Sequence, residues 1–288
     1  MLKFLSNTSI NIVYRAFVEA FSDYQVKIRM TEKKFKEMVK TRDLNLDYSI
    51  GYFDDGRMIG FIICGFRDKN GKKYCYDGGT GIIKKYRGKG ISKLLLKELI
   101  EKFKEKNIDY FILEVLENNE PAVNLYKKHN FKITREFCCY EIDKKDISKE
   151  NIHNQDEDKF SLDYSFDNYI QLDYQKYMSF DPSWQNDKVS IVNSRENYEY
   201  VSLIKNYTTI AYGIIHKKSG SIPQIGILPV WHNRNIEFLI INELKNKTKS
   251  NKLTFLNIEK NDYLAGQLEK IGFKNIINQY EMCWINHH

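Results

Sequence analysis

The stretch Thr80-Gly81-Ile82-Ile83-Lys84-Lys85-Tyr86-Arg87-Gly88-Lys89-Gly90-Ile91-Ser92 carries the residue types and spacing best suited to chemistry. Gly88 and Gly90 remove Cβ atoms where backbone N–H groups must close on a ligand. Leu94, Leu95, Leu96, Leu99, Ile100 and Phe103 follow at helical spacing. A helix starting at the turn aims its unpaired first N–H groups and its positive dipole end outward. That assembly suits a phosphate group, and Lys84, Lys85, Arg87, Lys89 and Lys93 add charge-assisted contacts. A glycine turn before a helix also serves plain strand–helix packing. The pattern is not the dinucleotide fingerprint, which needs a third glycine and a downstream acid. Nor is it a P-loop, which needs Gly-Lys-Ser/Thr after four spacers.

Arg87-Gly88-Lys89-Gly90-Ile91-Ser92 resembles the Arg/Gln-x-x-Gly-x-Gly/Ala signature of the GNAT N-acetyltransferases, with Ser92 where the family prefers Gly or Ala. A second block, from Leu113-Glu114-Val115 through Asn119, Ala122 and Leu125-Tyr126 to Asn130-Phe131, is similar to that family's next conserved stretch, Asn130 replacing its glycine. The resemblance covers residues 1 to about 143. It implies that Ile82, Ile83, Arg87, Gly88, Lys89, Gly90, Ile91 and Ser92 hold the pyrophosphate end of acetyl-coenzyme A. Asn119 then contacts the pantetheine arm, and Tyr126 protonates the departing thiolate. It further implies direct acyl transfer to a primary amine of a small molecule or protein, with Asp77 and Glu114 as candidate bases. Each residue has a plainer reading: Tyr126 as a core tyrosine, Asn119 as a helix cap, Asp77 as support for its glycine run, Glu114 as an edge charge. A protein of this fold that binds coenzyme A without turnover is the alternative.

A run of strands and helices must position these residues. Leu2 to Leu5 is a short strand, Ser9 caps a helix carrying Val13, Phe17 and Ala20, and Thr31-Glu32 opens another. Tyr48–Phe53 and Met58–Phe66 are strands joined by Asp54-Asp55-Gly56, which has hairpin chemistry. Strand Tyr74–Ile83 delivers the glycine turn. Tyr110–Leu116 is a compact strand, Pro121 sits in a first helical turn, and Phe131–Ile142 closes the unit. Strands flanking helices in this order predict an α/β (α+β) fold, a mixed and mostly antiparallel sheet with helices on its faces.

The pattern then repeats. Gly226-Ile227-Leu228-Pro229-Val230-Trp231-His232-Asn233-Arg234-Asn235-Ile236 lies over Gly81 to Ile91, and Gly272-Phe273 over Asn130-Phe131. Two GNAT-like domains are therefore expected, at 1–143 and 161–286, joined by a polar linker at 144–160. In the second, His232 replaces Arg87, Asn235 replaces Gly90, Glu237 replaces Ser92 and Leu268 replaces Tyr126, so it is read as degenerate. A carboxylate at the turn repels a pyrophosphate, and side chains obstruct the approach. Tyr169 to Tyr177 is read as helical, and Pro182-Ser183-Trp184-Gln185 as a loop.

Composition sets outer bounds. No run approaches the roughly 18 apolar residues of a membrane span, and Met1-Leu2-Lys3-Phe4-Leu5-Ser6 lacks a signal peptide's long apolar region. A soluble, cytoplasmic protein is expected, monomeric or homodimeric. The net charge of +7 comes from lysines spread along the chain, without a nucleic-acid recognition motif. Five cysteines make an odd count with no CxxC pair, so neither a disulfide framework nor a metal site is expected. His287-His288 resemble the start of a purification tag and are set aside.

Overall fold

The computed structural model describes residues 1–23, 30–147 and 160–286. Most of the expected linker, and His287-His288, lie outside them. The chain forms two compact units, Met1–Arg135 with Tyr280–His288, and Glu136–Gln279.

The first unit runs β1 (Leu2–Phe4), α1 (Ile10–Ala20), α2 (Glu32–Thr41), β2 (Ile50–Asp54), β3 (Arg57–Lys69), β4 (Lys72–Ile82), α3 (Ile91–Glu105), β5 (Tyr110–Leu116) and α4 (Glu120–Lys128). The start of β6 (Lys132–Asp143) and the end of β12 (Lys274–Ile285) also belong to it. Ser9 and Thr31 cap α1 and α2 by accepting from Asn11 N–H and Lys34 N–H, as their residue types predict. Asp55-Gly56 and Asn70-Gly71 all have positive φ, the paired conformation of two-residue hairpin turns. β2, β3 and β4 are therefore antiparallel neighbours, and β1 pairs antiparallel with β2 across the intervening helices.

β3 is an almost unbroken buried run because helices cover both of its faces. On one face a Cβ at Gly60 would lie 3.2 Å from Ile91 of α3; on the other, a Cβ at Gly81 would lie 3.0 Å from Ala20 of α1 and 2.6 Å from the Phe61 ring. Phe61 is fully buried and stacks on Phe17, so it has little room to yield. Gly81→Ala is accordingly expected to destabilise the first unit by about 1–3 kcal/mol through overpacking. Thermal unfolding of the two proteins side by side checks this.

Two irregularities interrupt β4. Gly78 is an extra residue in the strand, since Ile63 pairs with Gly79 and Cys64 with Asp77. The parallel pairing of β4 with β5 runs only from Tyr74–Tyr110 to Tyr76–Ile112. Beyond it the two strands part, with Asp77 and Glu114 just past the fork.

The second unit contains β7 (Ser161–Asp163), α5 (Phe166–Gln171), α6 (Lys188–Asn193), β8 (Tyr198–Lys205), β9 (Thr208–His216), β10 (Gln224–Ile227), α7 (Ile236–Leu244), β11 (Lys252–Glu259) and α8 (Tyr263–Ile271). β7 to β10 form an antiparallel sheet in the order β10-β9-β8-β7. The succession from β8 to β12 repeats that from β2 to β6, which is the repeat read from sequence. The closing strands do not follow chain order, however. β11 pairs with β6 through Leu253–Ile142 and Phe255–Tyr140 in the second unit, while β12 neighbours β5 in the first.

Two local expectations are corrected. Tyr169 to Tyr177 is not one helix: α5 stops at Gln171, and a short 3-10 turn follows at Tyr174–Lys176. The segment around Pro182 is not plain loop, because Trp184–Asn186 makes a 3-10 turn that leads into α6. The aromatic residues of the Tyr169–Tyr177 segment are core, with Tyr174 and Tyr177 packed against the cluster that buries Tyr169. Tyr169, Tyr200 and Tyr212 are buried together with Ile191 and Ile214, and the hydroxyls of Tyr169 and Tyr212 both donate to Gln224 Oε1 at 2.9 Å. All five cysteines are free and buried. Among the described residues, no cluster of three metal-ligating side chains occurs, and no helix is long and apolar enough to cross a membrane.

Candidate active site

β4 ends at Ile82, a 3-10 turn spans Lys84–Tyr86, and α3 begins after Gly90. Ile91, Leu95, Leu96 and Leu99 are buried, which fixes the start of α3 against the sheet. Gly88 and Gly90 have φ of 76° and 75°, the left-handed conformation glycine takes without steric cost. Residues that alternate in this way turn successive N–H groups to one side, forming an anion-binding concavity. Among the described residues, the amides of Gly88, Lys89, Gly90, Ile91 and Ser92 donate to no acceptor. A Cβ placed on Gly88 or Gly90 would meet nothing within 4 Å, so the space above the turn is open. These unpaired donors, beside open space at the start of a helix, fit a pyrophosphate.

The Arg87 guanidinium is engaged within the first unit. Its guanidinium donates to the carbonyls of Ile82 at 3.0 Å and Ala20 at 2.8 Å, and grips Asp23 at 2.7 and 2.9 Å. The Ala20 carbonyl is one of the unpaired acceptors ending α1. Arg87 therefore clamps α1 to the turn, and its hydrogen bond holds the Asp23 carboxyl below its ordinary range. The lysines supply the remaining charge: Lys85 and Lys89 stand over the Tyr86 ring, and Lys84 lies 3.6 Å from Asp23. Ile83 donates to Ile59 and accepts from Tyr86, so its backbone groups are engaged in shaping the strand end.

Asn119 precedes α4, and its carbonyl accepts from Ala122 and Val123. Its side chain makes no capping bond, which leaves the amide available. From α4, Tyr126 reaches across to the fork between β4 and β5. Its hydroxyl is buried and donates to Asp77 Oδ2 at 3.1 Å. Asp77 also accepts from Thr80 Oγ1 at 2.5 Å and from Gly79 N–H at 2.9 Å, the latter donor presented by the bulge. Burial pushes the Asp77 carboxyl up to about 6 even though those three bonds pull it down. Burial also pushes Tyr126 well above the ordinary range, and the neighbouring Asp77 charge adds to that.

Glu114 stands on β5, on the other branch of the fork. Tyr76 donates to its Oε2 at 2.5 Å. Burial raises Glu114 to about 7; the Tyr76 bond and the cations Arg42 and Arg135 oppose this, and the Glu281 carboxylate reinforces it. Unfolded carboxyls titrate near 4. Asp77 and Glu114 thus bind protons more tightly folded than unfolded. Their contribution to stability is present below about pH 4 and lost as pH rises to about 6 and about 7. Asp77→Asn and Glu114→Gln are expected to flatten the fall of Tm across that window, as calorimetry at stepped pH will read.

The second unit keeps the backbone of the turn and fills it. Asn233 and Asn235 hold φ of 62° and 56°, since asparagine tolerates this region best after glycine. His232 Nε2 lies 3.3 Å from the Ile227 carbonyl, the position Arg87 occupies over Ile82. A residue from outside the turn also occupies it. The Tyr263 hydroxyl accepts from Asn233 N–H at 2.7 Å, and its ring stacks on His232 at 4.2 Å. Glu237 is buried in the first turn of α7, and Leu268 is fully buried where Tyr126 stands in the first unit. Sequence reading missed Tyr263, the Asp23–Arg87 clamp and Glu281, because each meets its partner only after folding.

The sequence profile described as "Acetyltransferase (GNAT) family" matches residues 10–131. The uncharacterized N-acetyltransferase YdgE of Bacillus subtilis is 28% identical over 109 residues, 36% of this chain and 68% of that protein. The mycothiol acetyltransferase of Corynebacterium aurimucosum is 37% identical over 61 residues, 21% of this chain and only 20% of that enzyme. The alignment therefore spans a fifth of the length of that relative. A solved tandem GNAT protein from the clavulanic acid biosynthesis pathway superposes with a TM-score of 0.73 at 11% identity, over 99% of this chain and 98% of its own, which shows a shared fold. Residues 10–131 thus match the GNAT acetyltransferase family, and the chain shares its fold along its whole length with a solved tandem GNAT protein.

Proposed function

We propose that the protein is an acetyl-CoA-dependent N-acetyltransferase whose single competent site lies in the first unit. The row of unpaired amides from Gly88 to Ser92, beside the Tyr126–Asp77 pair, carries this reading. Those amides, with the lysines around them, would hold the pyrophosphate, and the Asn119 amide the pantetheine arm. Acetyl-CoA supplies an acyl group activated as a thioester. Glu114, poised near neutrality, accepts the proton that an ammonium must lose before nitrogen can attack. The C–N bond then forms as the C–S bond breaks, the electron pair leaves on sulfur, and the nitrogen releases its remaining extra proton to solvent to become the amide.

Tyr126 faces that sulfur. A thiol titrates near about 8.5 and tyrosine near about 10, and burial raises Tyr126 further. Complete proton transfer from Tyr126 is therefore uphill. Its part is to turn its one hydroxyl proton from Asp77 to the leaving thiolate, a hydrogen bond that stabilises the developing charge, while packing on Phe131 keeps the ring in place; the net proton arrives from solvent. Calorimetric titration with acetyl-CoA, followed by thiol release across a panel of primary amines, tests the assignment. One site per chain with turnover of an amine supports it. Binding without turnover favours a coenzyme-A-binding role, and no binding rejects both.

A further inference from the structure

Glu114 has one neighbour whose role the proposed chemistry leaves open. Glu281 lies in the segment of β12 that completes the first unit, and β12 is the strand beside β5. Two contacts bracket the stretch where the strands run together. Asn286 N–H donates to the Asp109 carbonyl at one end, and the Tyr280 hydroxyl donates to Glu117 Oε1 at 3.0 Å at the other. Antiparallel travel between those points brings Glu281 alongside Glu114. Glu281 is 7% exposed and rigidly held: Arg135 donates through Nε at 2.9 Å and Nη2 at 2.6 Å, and Thr134 Oγ1 donates at 2.9 Å. A buried carboxylate fixed by three donors has no conformational freedom with which to leave its neighbour.

We infer that Glu281 is a positioning residue that fixes the charge environment in which Glu114 meets the acceptor amine, so that the site is built in part from residues 280–286. This rests on the reading of Glu114 as the base. Glu114 is bonded by Tyr76 from β4, and the charges acting on it are Arg42 following α2, Arg135 from β6 and Glu281 from β12. Of these, Glu281 alone is an acid that raises the proton affinity of Glu114. Without it, Arg42 and Arg135 dominate, and Glu114 ionises at lower pH, where it is a weaker base for an ammonium.

The test is a 13C carboxyl NMR titration of the full chain, with Glu114→Gln identifying the resonance and Glu281→Gln and Arg135→Gln compared with wild type. In Glu281→Gln the Glu114 midpoint is expected to fall from near neutrality by about one unit, a tenfold loss of proton affinity; in Arg135→Gln it should not fall. The acidic limb of kcat/KM should move down by the same amount in Glu281→Gln. An unmoved midpoint overturns the inference. So does a fall in both variants, which would signal a loosened strand instead of a lost charge, and so does a limb that stays put while the midpoint moves. If wild type acetylates no amine, the enzymatic reading fails, and the two midpoints still decide whether Glu281 acts on Glu114.

Discussion

Gly90→Glu is expected to weaken acetyl-CoA binding by more than about a hundredfold while leaving the protein folded. Two effects combine. Gly90 sits at φ 75°, ψ 7°, where a residue with a Cβ is strained by about 1 kcal/mol. Charge repulsion outweighs that strain. A carboxylate about 4 Å from a pyrophosphate charge costs about 4 kcal/mol at the effective dielectric of a protein surface, less after salt screening. Space is not the obstacle, since a Cβ there meets nothing within 4 Å. Gly90→Asn separates strain from charge. Asn235 of the second unit holds nearly the same backbone angles, so asparagine should keep the turn and cost less than about tenfold in affinity. Calorimetric titration of both variants reads the difference. Equal losses would mean that backbone strain, not charge, governs the site.

Tyr126→Phe is expected to lower kcat by about a hundredfold while changing the affinity for acetyl-CoA by less than about threefold. The magnitude is that of removing one donor aimed at charge that develops only as the bond breaks. The ring should stay put, because Phe131 packs on it at 5.4 Å and its α4 neighbour Val123 is buried. What disappears is the hydroxyl and its bond to Asp77, which leaves Asp77 with Thr80 and the Gly79 amide and so raises its proton affinity slightly. Stopped-flow thiol release with a competent amine, set beside the cofactor titration, measures the two quantities separately. Parallel losses in both would assign Tyr126 to binding.

The fold was largely legible because its signals are local. Caps at Ser9 and Thr31, the Asp55-Gly56 turn and the strand that follows it each come from a few adjacent residues. The glycine turn was legible for the same reason, and its copy at Asn233-Arg234-Asn235 shows why the match survived: asparagine preserves the backbone where glycine is lost. Contacts between distant segments were not legible. The partners of Arg87, Asp23 and Ala20, lie more than sixty residues earlier in the chain. In the second turn, the Asn233 amide is taken by Tyr263 of α8, thirty residues later in the chain. The breaks in the Tyr169–Tyr177 segment escaped notice because its aromatic residues satisfy a buried cluster, and that need overrides helical spacing.

The assignment of residues 280–285 to the first unit sets an order of events during translation. When the ribosome has released residues 1–135, β5 is held to β4 by only the three pairs between Tyr74–Tyr76 and Tyr110–Ile112, and its other edge is bare. A bare edge recruits whatever strand comes next. The segment that belongs there, with buried Met282, Cys283 and Trp284, emerges only after the entire second unit has been made. The usual sequence in which an N-terminal domain matures while its successor is still being synthesised is therefore closed to this chain. Its first unit reaches maturity last, and nascent chains stalled before residue 280 are the species that chaperones must hold.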